Sequence, residues 1–462
     1  MNSYQYTFVK IPKPMTSETK RKIEHIVPVV FVLLLRYLNT WQALLFAFVG
    51  ILYGLFLSRI FVKGAFREHE QEKGFSPGKL IYGIMVFILI LIFNKKMYIV
   101  AGAWTIMSLG DGCSNIFGKA YGKRKLPWNT EKSWAGSAAF VLFGGLGAAI
   151  LMWWVNQGHA FTQATLGQMQ TSLTWSYFFT TAFLAAFAAA GVESLPLKIN
   201  DNITVPLTAG LFLFATTIIN WEHLNNAHSI IAALIVNISF GLLAYYVKTV
   251  SKSGLIGGVV VGTIIYLCLG IGGFLILFTF FALGSWSSKH KYKWKASHGV
   301  AQENKGRRGL KHAVAKGGVG LIMAIMALLT DIPEVFTIAF VAAFATATFD
   351  TISSELGQIY GKRPILITTM KSVLVGTDGA ISIEGTILGV SSAALIGAEA
   401  YLLQLISLSS IILVVIAAFI GTTVESVLGA TIERRKWVSN EVINFINIST
   451  GAGVAMLMAK IL

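Results

Sequence analysis

"DGCSNIFGKAYGKRKLPWNTEKS", residues 111–133, and "DTISSELGQIYGKRPILITTMKS", residues 350–372, read as one segment written twice. They align without a gap, and ten of 23 positions are identical: Asp, Ser, Gly, Tyr, Gly, Lys, Arg, Thr, Lys and Ser. A loop that only anchors cytoplasmic topology needs positive charge. It has no use for Asp111 or Asp350 ahead of the tyrosine, nor for Lys132 or Lys371 beyond the Lys-Arg pair. The joint recurrence of acids and bases at fixed spacing points to a site.

A second match lies further along each half. "GVESLPLKINDN" (191–202) echoes "TVESVLGATIERRKWVSNEVIN" (423–444), with Val-Glu-Ser shared and Asn200–Asp201 matching Asn440–Glu441 after an insertion. A weaker echo joins "EKG" at 72–74 to "NKG" at 304–306. The pairs recur in the same order, so the chain reads as a parallel duplication, with domains expected at 1–250 and 251–462.

The surroundings of these motifs are apolar. Of 462 residues 55% are hydrophobic and 13% charged, with a mean hydropathy of +0.68. Soluble domains carry about twice that charge. Apolar runs of membrane-spanning length recur, so the fold class is an all-α polytopic membrane protein. About fifteen apolar segments can be marked, giving two homologous helical bundles. The stretch 254–286 as one helix would run roughly 50 Å, too long for a bilayer of about 30 Å. "GIGG" at 270–273 is the expected break.

With the N-terminus cytoplasmic, the motif loops 111–133, 193–203, 350–382 and 429–441 fall inside, where most lysines and arginines lie. Lys95–Lys96 is the exception. The net charge of +16 is dispersed over loops, so a nucleic-acid partner is not expected. The N-terminal segment reads as having no removable signal peptide. Cys113 and Cys268 form no disulfide framework, and no His/Cys cluster has zinc spacing. His25, His69 and His312 read as interfacial residues.

Each half thus offers an Asp, a Gly-Lys-Arg turn, a Lys-Ser pair, a Glu and a carboxylate–amide segment. Mg²⁺ is held by one or two carboxylates plus phosphate oxygens. Lys and Arg neutralise a transferring phosphoryl group, and glycines admit backbone amides to phosphate. The constellation suits a magnesium–nucleotide site.

The first half resembles the phytol kinase/dolichol kinase group of CTP-dependent membrane kinases through "KRKIEH" (20–25), "GDGCSNIFGKAYGKRKLPWNTEKSWAGS" (110–137) and "VESLPLKINDNITVPL" (192–207). Ser114 and Ala135 depart from the usual pattern, so position 135 cannot be a ligand. The second half resembles the phytyl-phosphate kinase family through "GRRGLKHAVAKGG" (306–318), "FDTISSELGQIYGKRPILITTMKSVLVGTDGAISIEGT" (349–386) and "VESVLGATIE" (424–433). It departs from that family at Gly309, His312, Lys316 and Glu425.

The resemblance implies a bifunctional kinase taking an isoprenoid alcohol to its monophosphate and then to its diphosphate. CTP is the implied donor, with ATP left open, and Mg²⁺ the cofactor. The acceptor comes from the bilayer, the nucleotide from the cytosol, and the setting is the cell (inner) membrane. The catalytic candidates are Asp111, Lys132, Glu193, Asp350, Lys371 and Glu425. Metal candidates are Asp111, Glu193, Asp201, Asp350, Glu355 and Glu425. Nucleotide or phosphate contacts are expected at Lys123, Arg124, Ser133, Asn200, Asn202, Arg307, Arg308, Lys362, Arg363, Ser372, Asn440 and Asn444. A lipid cytidylyltransferase would use the same equipment and release pyrophosphate. A transporter would place its ionisable groups near the bilayer midplane.

Overall fold

The computed structural model describes residues 25–57, 77–165, 173–195, 200–302, 306–434 and 439–461. "EKG" at 72–74 and His69 lie outside them. The chain forms two compact units, Met1–Thr217 and Ile218–Leu462. The division falls before the expected 250/251 boundary, because the helix Ile230–Tyr246 packs with the helix that follows it.

The first unit runs through α1 (Thr40–Leu52), α2 (Pro77–Phe93), α3 (Met97–Thr105) and α4 (Asp111–Tyr121). A hairpin of β1 (Lys125–Leu126) and β2 (Asn129–Ser133) then leads into α5 (Trp134–Thr165), α6 (Trp175–Glu193) and α7 (Asp201–Thr216). The second unit comprises α8 (Ile230–Tyr246), α9 (Lys252–Lys289), α10 (Tyr292–Ser297), α11 (Leu310–Leu329) and α12 (Pro333–Tyr360). It continues with β3 (Ile365–Leu366), β4 (Ala380–Ile381), α13 (Ile383–Leu402), α14 (Ser410–Leu428) and α15 (Asn440–Ile461).

Among the described residues eight helices are long and apolar enough to cross a membrane, and four apolar helices are shorter. That is fewer than the fifteen segments marked in the sequence. The long run α9 is broken at Gly270, whose φ of 64° and ψ of −157° lie in a region open to glycine and costly to other residues. A Cβ there would also sit 2.9 Å from the His228 ring. Of the exceptional pair, Lys96 is accommodated: its Nζ donates to Thr217 Oγ1 at 2.7 Å and lies 5.6 Å from the Phe214 ring centre.

Helices pack closely here because small side chains let backbones approach. In α6 the run Ala182, Ala185, Ala186, Ala189 and Ala190 is buried. Helix α12 is buried along most of its length and forms the centre of its unit, with Ala339, Phe340, Ala342, Ala343 and Phe344 in the core. One contact recurs in the two units with its partners exchanged. A Cβ on Gly110 would lie 2.9 Å from the Phe140 ring, and a Cβ on Gly389 would lie 2.5 Å from the Phe349 ring. The same helix contact is filled by one phenylalanine in each unit, supplied from opposite sides.

The hairpins align the units residue by residue. Ser114 Oγ donates to Asp111 O at 3.0 Å, as Ser353 Oγ does to Asp350 O at 3.1 Å. Gly136 N donates to Ser133 Oγ at 3.2 Å, as Gly385 N does to Ser382 Oγ at 3.2 Å. Built Cβ atoms on Gly118 and Gly357 meet those same serine hydroxyls at 3.3 and 3.4 Å. Ser382 is therefore the counterpart of Ser133, ten residues later than the gapless match places it. The position of Lys132 is taken by Ile381.

Candidate functional site

In the first unit the repeat brings three acids to one end of the bundle. Asp111 opens α4 directly after a π-helical turn, Ile106–Gly110; such turns recur at functional sites. Glu193 closes α6, and Asp201 opens α7 behind the N-cap Asn200. Ligand oxygens of Asp111, Glu193 and Asp201 all lie within 4.8 Å of one another. Among the described residues no other group of three His, Cys, Asp or Glu side chains comes so close.

Lys132 projects from β2 into this group. Its ammonium pairs with Glu193 and lies 3.4 Å from Asp201 Oδ2. Glu193 is 2% exposed and Asp201 40% exposed, so the group is open on one side. Burial lowers the Lys132 pKa, but Glu193 and Asp201 outweigh it and hold the ammonium above its ordinary value. The hairpin is fixed over the helix end: Trp128 Nε1 and Asn129 Nδ2 each donate to Ser194, at 3.1 Å.

His25 completes the set. Its Nε2 lies 3.3 Å from Asp111 Oδ2, and its ring meets Tyr82 edge-on at 5.1 Å. This histidine, expected to be interfacial, thus also stands beside the acid that opens α4. Its only signal in the chain is its place at the end of "KRKIEH", of which residues 20–24 lie outside the described part.

Several expected phosphate contacts are engaged otherwise. Ser133 is buried and caps α5. Asn200 Oδ1 accepts from Asn202 N at 2.9 Å, and Asn202 Nδ2 donates to Gly78 O at 3.1 Å, which ties α7 to α2. Both amides serve the fold. Lys123 and Arg124 are exposed on the turn after α4.

The second unit arranges its acids differently. Lys316 Nζ, from α11, donates to Asp350 Oδ2 at 2.8 Å and to Thr351 Oγ1 at 2.8 Å. Glu425 lies within electrostatic reach of Asp350, Lys316 and Glu433. Glu433 ends a π-helical turn, Gly429–Glu433, and accepts from Asn440 Nδ2 at 3.0 Å. Asn444 Nδ2 donates to Asn440 Oδ1 at 2.8 Å, so the two amides orient Glu433. Glu433 was not singled out in the sequence, where it reads as one acid in "GATIERR".

Three expectations for this unit are corrected. Glu355 is not grouped with the other acids: it is buried against Lys295, whose Nζ also donates to Ser287 O at 2.8 Å, while Ser288 Oγ donates to Glu355 at 3.2 Å. Both carboxylate oxygens are thereby used in a structural ion pair. Lys371 and Ser372 are exposed in the hairpin, where Lys371 O accepts from Leu366 N at 2.9 Å. They do not repeat Lys132 and Ser133. Arg307, Lys362 and Arg363 are exposed; Lys362 N donates to Glu384 at 3.4 Å.

The first unit's donor set fits a hard divalent cation, since all three side chains offer carboxylate oxygen. Together these features define a multi-pass α-helical membrane protein with an acid-and-lysine cluster in each of two related units.

The chain belongs to the Integral membrane protein DUF92 family, which matches residues 235–452. An uncharacterized membrane protein of Synechocystis is 38% identical over 203 residues, 43% of this chain and 78% of that protein. The chloroplastic protein VTE6 of Arabidopsis thaliana is 34% identical over 221 residues, 46% of this chain and 66% of it. A probable chloroplastic phytol kinase of Triticum aestivum is 33% identical over 166 residues, 35% of this chain and 51% of it. The chain thus spans just under two thirds of the first plant protein and about half of the second. No solved structure matches.

Proposed function

We propose that this chain is a membrane isoprenoid kinase, in which the first unit phosphorylates an isoprenoid alcohol and the second phosphorylates the resulting monophosphate. The observation that carries the reading is the Asp111–Glu193–Asp201 trio with Lys132 among its oxygens. The names of the phytol kinase relatives support the reaction class.

In the first step the alcohol oxygen bonds to the terminal phosphorus of the nucleotide. The bond from that phosphorus to the bridging oxygen breaks, and the nucleoside diphosphate leaves. The hydroxyl proton passes to the Asp111–His25 pair, whose atoms are 3.3 Å apart. Lys132 faces the phosphoryl group and balances charge gathering on its oxygens. Asp111, Glu193 and Asp201 would hold Mg²⁺, which when bound neutralises phosphate charge. In the second unit Asp350, Glu425 and Glu433 take the place of the trio, and Lys316 that of Lys132. The acceptor there is a phosphate oxygen. CTP is the proposed donor, and the motif loops are proposed to face the cytoplasm of the cell membrane.

The test is incubation of the purified chain in nanodiscs with Mg²⁺, labelled CTP or ATP, and either prenol or prenyl monophosphate. Label in lipid mono- and diphosphate supports the reading. Pyrophosphate release with a nucleotide-linked lipid would instead identify a cytidylyltransferase.

A further inference from the structure

The second unit contains an apolar cavity of about 90 Å³ between α8, α9 and α11. Its wall is aromatic. Phe240 is in contact with Phe274, Phe278 and Phe281, at centroid separations of 5.8, 5.0 and 5.6 Å. Arg308 and His312 also line it.

Arg308 is an unusual residue for such a place. Its guanidinium carbon lies 5.2 Å from the Phe280 ring centre and 5.7 Å from that of Phe281. Among the described residues no carboxylate lies within ion-pair distance of it. Its backbone is pinned, with N donating to Thr249 O at 3.0 Å and O accepting from Ser251 N at 3.0 Å. Burial pushes its pKa down to about 10, with Glu355 opposing. A cation held this way over aromatic rings carries charge that a ligand anion can balance.

The cavity leads to the acids. His312 and Lys316 are four residues apart in α11, the spacing that places side chains on one side of a helix, and Arg308 lies two residues before that helix, bridged to Val250. Arg308 and His312 line the cavity, and Lys316 one turn on holds Asp350 at 2.8 Å.

Resting on the kinase reading, the geometry points to this cavity as the acceptor site of the second unit, taking the head-proximal part of an isoprenyl monophosphate, with the chain against Phe240, Phe274, Phe278 and Phe281 and the phosphate on Arg308. The occupant is both apolar and anionic because the wall is aromatic and carries the cationic Arg308. A single chain suits its size, whereas a two-chain phospholipid does not.

The experiment labels the full chain in nanodiscs, without nucleotide, using a geranylgeranyl monophosphate that carries a diazirine near its head. Geranylgeranyl monophosphate, geranylgeraniol, phosphatidic acid and inorganic phosphate compete separately. Label is expected within 274–281 or 308–317, displaced by the monophosphate about tenfold better than by the alcohol or the other two competitors. Gly258 lines the cavity, and a Cβ there meets nothing within 4 Å, so Gly258→Phe fills the space without a backbone clash. It should reduce labelling about tenfold with an unchanged melting temperature. Arg308→Leu should weaken competition by the monophosphate about tenfold and leave that of the alcohol unchanged. Labelling elsewhere, equal competition by alcohol or phosphatidic acid, or labelling unmoved by both substitutions would overturn the proposal. Predicted labelling with no phosphoryl transfer from any nucleotide would keep the cavity and remove the kinase reading. Turnover of isoprenyl phosphate unmoved by either variant would keep the kinase and overturn the cavity.

Discussion

Lys316 Nζ lies 2.8 Å from Asp350 Oδ2, so the cation facing the second unit's acid comes from a helix and not from the hairpin that supplies Lys132 in the first. Lys316→Met should lower the second phosphorylation by about 10²-fold, the scale of losing one charge-stabilising donor. Lys371→Ala, on an exposed hairpin position, should leave it close to wild type. Rates with prenyl monophosphate as acceptor check this. Equal losses in both variants would return the role to Lys371.

The Lys295–Glu355 pair has no solvent to fall back on: the lysine is 0% and the glutamate 4% exposed. Removing one partner strands the other, so Glu355→Gln or Lys295→Met should destabilise the protein by about 3–5 kcal/mol. Replacing both, as Lys295→Met with Glu355→Leu, should recover most of that loss. Thermal unfolding in detergent measures it. Loss of activity at unchanged stability in Glu355→Gln would reinstate this residue as a metal ligand.

The duplication, the bundle class and the break at Gly270 were legible because each leaves a local mark: a repeated motif, long apolar runs, a glycine cluster. The hairpin misled. The second copy inserts ten residues before Ser382, and a chance Thr-x-Lys-Ser at 369–372 imitates the first copy's ending. A gapless match cannot reveal which serine caps the next helix; the contact of Ser382 with Gly357 and Gly385 does. His25 and Lys316 were hidden for another reason. Each is a lone residue on a distant element, and only folding sets it beside Asp111 or Asp350.

Close helix approach at the hairpins should make two glycines intolerant. A Cβ on Gly136 would lie 2.9 Å from Ser114 O, and one on Gly385 would lie 2.8 Å from Ser353 O. Backbone carbonyls cannot turn aside as side chains do, so Gly136→Ala and Gly385→Ala should each cost about 1–3 kcal/mol. Gly453→Ala meets nothing within 4 Å and should be neutral or stabilising by up to about 1 kcal/mol. Melting temperatures of the three variants decide the matter.

The raised pKa of Lys132 sets a pH dependence. Because the folded value lies above the ordinary 10.5, the link to Glu193 and Asp201 stabilises fully below that value and fades as pH rises through the folded pKa. The melting-temperature gap between wild type and Lys132→Met should therefore be constant at neutral pH and narrow only in strong alkali. A gap that closes near neutrality would contradict the pairing.

Product analysis of two single variants tests the two-site account most directly. Asp111→Asn and Asp350→Asn are each incubated with Mg²⁺, labelled nucleotide and either prenol or prenyl monophosphate, and the lipids are separated by thin-layer chromatography. Each unit holds its own acids and its own lysine. Asp350→Asn should therefore accumulate the monophosphate from prenol, while Asp111→Asn should leave prenol untouched yet still convert supplied monophosphate to diphosphate. Loss of both steps in both variants would contradict two separate sites and leave one composite site.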